Sequence, residues 1–186
     1  WSPSFSPDGQ SLAFISNLTG IPQVWTVAAE GGWPQLITAL DDQIYSVRWS
    51  GEWLAFSLAP GGGMNEQVYV IHPDGTGLRR LTAGGRETNR LGAWGDEHTL
   101  MVASNQRNPD AMDAYLVDAE SGEFRLAAKN RGIGWLSDVS ADGRYGLVYR
   151  LVNRGDSNLF LVNLETGVET CLTPHEGPGN FTDAHF

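Results

Sequence analysis

The sequence predicts an all-β protein in which one four-stranded antiparallel sheet recurs four times along the chain. Three observations carry that expectation. An apolar residue leading into a polar turn recurs as Phe5-Ser6-Pro7-Asp8-Gly9, Trp49-Ser50-Gly51-Glu52, Trp94-Gly95-Asp96-Glu97 and Val139-Ser140-Ala141-Asp142-Gly143. Phe186 stands at the next position, which gives spacings of 44, 45, 45 and 47 residues. An aromatic residue inside an apolar run recurs at Trp25, Tyr69, Tyr115 and Phe160, spaced 44, 46 and 45 apart. Each unit closes on Ile37-Thr38, Leu81-Thr82, Leu126-Ala127 or Leu172-Thr173. Three anchors that keep one period and one order mark a repeat architecture.

Within the first unit the strands are expected near residues 3–6, 11–15, 23–28 and 34–38. The turn after the first strand carries Asp8-Gly9, because Gly accepts positive φ and Asp bonds its own turn. The turn after each third strand carries Gly31-Gly32, Asp74-Gly75, Ser121-Gly122 or Thr166-Gly167. The third strands, Val24-Trp25-Thr26-Val27, Val68-Tyr69-Val70-Ile71, Ala114-Tyr115-Leu116-Val117 and Leu159-Phe160-Leu161-Val162, are largely apolar on both faces. An antiparallel strand with one wet face alternates instead. A strand packed between two neighbouring sheets does not, and that is the place of a middle strand in a β-propeller blade. The expected architecture is therefore four blades, at about 1–38, 39–82, 83–128 and 129–173, with 174–186 starting a fifth.

Four blades are the lower limit of closed propellers. The chain is expected to be a fragment of a larger ring, since it begins at Trp1 inside a motif and reaches Phe186 inside the next. An open arc exposes the apolar faces of its first and last blades, so the fragment is expected to self-associate there.

Composition agrees with a folded domain. The 186 residues are 41% hydrophobic and 18% charged, with 23 glycines and seven tryptophans. The net charge of −10 argues against a nucleic-acid partner, whose phosphates need Lys and Arg. The single cysteine, Cys171, excludes an intrachain disulfide and favours a cytoplasmic compartment. No apolar run reaches the roughly 20 residues that span a membrane, and no membrane partner is expected.

The phrase Phe5-Ser6-Pro7-Asp8-Gly9-Gln10-Ser11-Leu12-Ala13-Phe14-Ile15-Ser16, followed by Gln23-Val24-Trp25 and Gln35-Leu36-Ile37-Thr38, resembles the repeat of TolB-type propellers. The same repeat occurs in the N-terminal propellers of the prolyl oligopeptidase family of serine peptidases. The resemblance covers nearly the whole chain. The Ser-Pro-Asp-Gly phrase is intact only once, and such drift is similar to peptidase propellers. So is the stretch from Asn158 to Gly167, followed by Leu172-Thr173-Pro174-His175-Glu176-Gly177. This resemblance implies a non-catalytic, substrate-gating propeller whose partner is an α/β-hydrolase domain of the same parent chain, or a peptide substrate. The alternative is a TolB-like protein-interaction module, which the resemblance would place in the periplasm.

The chain's own chemistry is sparse. A hydrolase of that family needs a G-x-S-x-G nucleophile elbow. The nearest stretch, Gly155-Asp156-Ser157-Asn158-Leu159, lacks the second glycine, so no catalytic residue is assigned. His72, His98, His175 and His185 lack paired metal-ligand spacing, so no metal or cofactor is expected. His175 and Glu176 read as part of a solvated interblade loop, and Cys171 as a buried structural thiol. Trp25, Trp49 and Trp94 fall on repeat anchors and read as core, whereas Trp33, Trp53 and Trp135 are less constrained. Asn17-Leu18-Thr19 and Asn180-Phe181-Thr182 match the glycosylation acceptor pattern, which is short and carries little weight. A lyase or sugar-processing propeller would need inward His, Arg and Gln on the innermost strands, a set the sequence does not display.

In a propeller, the loops between second and third strands and the loops between blades open on one face. Those loops are expected to hold Arg86, Arg90, Arg107, Arg131, Arg150 and Arg154, with Lys129 and a similar number of acids. The hairpin-turn face is almost purely acidic. The charge-mixed loop face is the expected docking surface for a second domain or a peptide.

Overall fold

The computed structural model describes residues 1–186. It holds sixteen strands in four four-stranded antiparallel sheets. The first sheet comprises β1 (Ser4–Phe5), β2 (Ser11–Ser16), β3 (Gln23–Ala28) and β4 (Gln35–Leu36). The second comprises β5 (Ile44–Ser50), β6 (Trp53–Leu58), β7 (Gln67–Ile71) and β8 (Arg79–Arg80). The third comprises β9 (Asn89–Trp94), β10 (Thr99–Ser104), β11 (Asp113–Asp118) and β12 (Phe124–Ala128). The fourth comprises β13 (Gly134–Val139), β14 (Tyr145–Asn153), β15 (Asp156–Asn163) and β16 (Glu169–Cys171). In every sheet the strands lie in sequence order. The only helical turn is the short 3-10 segment Pro60–Gly62, and no helix is long and apolar enough to cross a membrane.

The turns form where side chains can replace lost backbone partners. Ser6 donates to Asp8 at 2.6 Å, and Asp8 accepts from the Gln10 amide at 3.0 Å. Gly9 then takes φ +70°, a conformation that L side chains rarely adopt. Ser140, Asp142 and the Arg144 amide repeat the arrangement in the fourth sheet. Hydroxyl and amide donors hold the carboxylates of Asp8, Asp74, Asp118 and Asp142 below the usual carboxylate range.

The core lies between blades rather than inside one. Alternate residues of a strand point to opposite faces, and here both faces are covered. Leu54 and Phe56 of β6 meet Ala13, Ile15 and Val24 of the first blade, while Ala55 between them packs with Leu100 and Val102 of the third. Met101, Ala114 and Leu116 turn the other way, onto Leu136, Val148 and Val162 of the fourth. Phe56 has no exposed surface, and burying such a side chain contributes about 2–3 kcal/mol. β3, β7 and β11 are buried almost throughout, as their apolar character predicts. β15 is only half-buried.

A polar device recurs beside this core. A polar, buried residue stands at the start of each third strand: Gln23, Gln67 and Asp113 are first, and Ser157 is second in β15. Each grips the loop leading to the next blade. Gln23 donates to the Leu40 carbonyl and accepts from its amide, both at 3.0 Å. Gln67 donates to the Glu87 carbonyl at 2.9 Å and accepts from Thr82 and Asn89. Asp113 accepts from the Asn130 amide at 2.6 Å, and Ser157 donates to the Phe181 carbonyl at 3.0 Å. On the opposite face Arg79 reaches the Ala119 and Glu120 carbonyls of the next blade, as Arg125 reaches Leu164.

Candidate functional site

The inner strands β5, β9 and β13 converge on a cavity of about 540 Å³. Arg48 enters it from β5, and Arg90 with the Leu91-Gly92-Ala93 backbone enters from β9. Trp135 enters from β13, and residues 182–185 complete one wall. Two lining positions have no room for a side chain. A Cβ on Gly92 would lie 2.6 Å from the Met101 carbonyl, and one on Gly134 would lie 2.8 Å from the Tyr149 carbonyl. Register shifts sit beside both, between Leu100 and Val102 and between Leu136 and Asp138. Such irregularities re-aim side chains at the rims of sheets.

Trp135 stacks on Tyr149 with ring centroids 4.1 Å apart and a 21° tilt. Arg48 donates to the Val47 carbonyl at 3.1 Å and approaches the Ser2 hydroxyl at 3.5 Å. Neither Arg48 nor Arg90 takes part in any of the four ion pairs of the chain. Asp138 is engaged elsewhere. It accepts from the Phe186 amide at 2.9 Å and lies 3.6 Å from His185. The Phe186 contact repeats the bond from the Trp49 amide to Ser4 at 2.9 Å, one anchor residue to the position before the previous anchor.

The structure treats the six arginines expected on the docking loops differently. Arg86, Arg131 and Arg154 are exposed in connecting segments. Arg90 and Arg150 are not in loops, because β9 and β14 extend through them. β14 runs nine residues and turns tightly at Arg154-Gly155, which leaves no long loop in the fourth blade. Arg107 and Arg150 are committed to internal partners. Arg107 forms an ion pair with buried Asp113, whose carboxylate pushes the guanidinium up from its ordinary value. Arg150 forks onto Glu169 at 2.6 and 2.7 Å, bonds Asn130 at 2.7 Å and lies 4.4 Å over the Phe160 ring.

Other expectations are corrected by packing. His175 is half-buried rather than freely solvated. Its Nδ1 faces the Thr173 carbonyl at 2.8 Å and its Nε2 faces Asp156 at 3.0 Å, and these acceptors raise its pKa. Ser157 turns its hydroxyl to Asn180 and Phe181, so Asp156, His175 and Ser157 do not form a nucleophilic relay. Cys171 is half-buried on outer strand β16, with Sγ 3.7 Å from Asn158. Trp25 is core, and Trp49 and Trp94 pack partly buried against it; Trp33 is 88% exposed, and Trp53 stacks on His72. No group of three or more His, Cys, Asp or Glu side chains is placed to hold a metal ion. The lining of the cavity went unseen in the sequence. Its signal was the glycine inside each of two inner strands, Gly92 and Gly134.

Four antiparallel blades with buried middle strands and an inward cavity define a β-propeller fold. No protein-family model matches the chain. It is similar to dipeptidyl aminopeptidase BIII of Pseudoxanthomonas mexicana, 27% identical over 158 residues, covering 81% of this chain and 22% of that protein. The chain thus spans about a fifth of the length of the curated relative. Among solved structures it resembles TolB from Acinetobacter baumannii at a TM-score of 0.69 and 18% identity, covering 96% of this chain and 44% of that one. It resembles an oligogalacturonate lyase in complex with manganese at 0.74 and 16%, covering 94% and 53%. It resembles puromycin hydrolase at 0.64 and 16%, covering 94% and 29%. The solved neighbours therefore include TolB propellers and peptidases of the prolyl oligopeptidase family, and at these identities they establish the fold.

Proposed function

We propose that this chain is part of the gating propeller of a prolyl oligopeptidase-family serine peptidase. The match over 158 residues to a dipeptidyl aminopeptidase carries the reading. In it, a hydrolase domain of the same parent chain supplies the catalytic groups, and the propeller restricts access to short peptides. The inward cavity, walled by the inner strands, is of a size for a few residues of peptide. Phe186 sits at the anchor position of a fifth blade, which supports a larger ring. A half-buried lone cysteine supports a cytoplasmic compartment. The test is hydrolysis by the parent polypeptide of a peptide series of rising length. Activity that falls steeply beyond short peptides supports gating, and length-independent activity refutes it.

The likeness to TolB across 96% of the chain favours a second reading, a periplasmic protein-interaction module. Exposed Arg86, Arg131 and Arg154 would then form its docking face. A coding sequence with an export signal and no hydrolase domain is the outcome that selects it.

A further inference from the structure

We infer that the inward cavity is a binding site for the carboxylate of a short peptide, with Arg48 and Arg90 as its anion ligands. This deepens the gating reading and rests on it for the choice of peptide as ligand. Two arginines, both reached by solvent, line one cavity, and neither forms an ion pair with a carboxylate. Arg107 and Arg150, by contrast, are engaged by the carboxylates of Asp113 and Glu169. The acid on the cavity wall is Asp183, which makes no ion pair with either arginine. Arg48 is also held in place by the Val47 carbonyl, so little freedom is lost when it binds an anion.

The remaining lining selects among carboxylates. Eleven of the 19 lining residues are hydrophobic, among them Leu91, Met112, Ile133 and Trp135. A peptide end offers a carboxylate beside an apolar side chain, which fits guanidinium groups beside an apolar wall. An acidic sugar offers a carboxylate beside several hydroxyls, which the apolar part of this wall leaves without partners.

The test uses the 186-residue chain and reads binding by calorimetry and by the fluorescence of Trp135, which lies on the wall. The probes are N-acetyl-Ala-Ala-Leu as free acid, the same peptide as C-terminal amide, and digalacturonate. The acid is expected to bind at least about tenfold more tightly than the amide, as a charge-assisted pair predicts. Arg48→Met and Arg90→Met are each expected to abolish that preference, while Arg131→Met retains it. Unchanged circular dichroism and melting temperature show that the variants fold. Equal binding of acid and amide, no binding of either, or a preference that survives both substitutions overturns the proposal. So does tighter binding of digalacturonate than of the peptide acid. The readout needs no hydrolysis, so a failure here is separable from a failure of the gating reading.

Discussion

Replacing Gln67 by alanine tests how the blades are tied together. Gln67 is 1% exposed, and its amide makes three bonds: to the Glu87 carbonyl, from Thr82 and from Asn89. The truncated side chain leaves those three groups buried without replacements. At about 1 kcal/mol for each net hydrogen bond, the loss is roughly 3 kcal/mol. For a chain of this size that corresponds to a fall in Tm of roughly 6–12 °C. The assay is thermal unfolding followed by near-ultraviolet circular dichroism, with exposed Gln106→Ala as control. Hydrogen exchange adds a local readout, because the Asn89 amide, bonded to the Glu66 carbonyl at 2.8 Å, should exchange faster. A Tm within about 2 °C of the parent value would refute the idea that these polar residues fix the interblade loops.

Three further outcomes are expected. The turn carboxylates are depressed by hydroxyl and amide donors, so their stabilisation is present above the ordinary carboxylate value and lost as pH falls through the folded one; Asp8→Asn with Asp142→Asn should flatten the fall in Tm below about pH 4. His175 is raised by the Thr173 carbonyl and then by Asp156, so its stabilisation is present at low pH and lost as pH rises through the folded value; the imidazole resonance should titrate above about 6.5, and His175→Gln should remove the matching loss of Tm. Gly92→Ala drives a Cβ onto the Met101 carbonyl and should cost about 1–3 kcal/mol in denaturant titration, whereas Gly132→Ala, with open space around it, should not.

The blades were legible because their signals are local. Asp8-Gly9 and Ser140 to Gly143 specify turns through bonds between near neighbours, and the apolar third strands announce burial on both faces. The pairing of Leu54 with one neighbour and Ala55 with the other follows from the two-residue period alone. What stayed hidden depends on contacts between distant residues. Arg150 looks like a loop residue until Glu169 and Asn130 are brought to it across the fourth blade and its neighbour. The buried Gln23, Gln67, Asp113 and Ser157 differ in type, although their spacings of 44, 46 and 44 residues follow the repeat. The outer strands β4 and β8 shrink to two residues each, because an exposed edge has a partner on one side only.

The most direct measurement is the complete sequence of the transcript that encodes this chain. A gating propeller predicts further strands of the same repeat, then an α/β-hydrolase domain bearing a G-x-S-x-G elbow. A reading frame that closes with the propeller, and holds no such elbow, contradicts it.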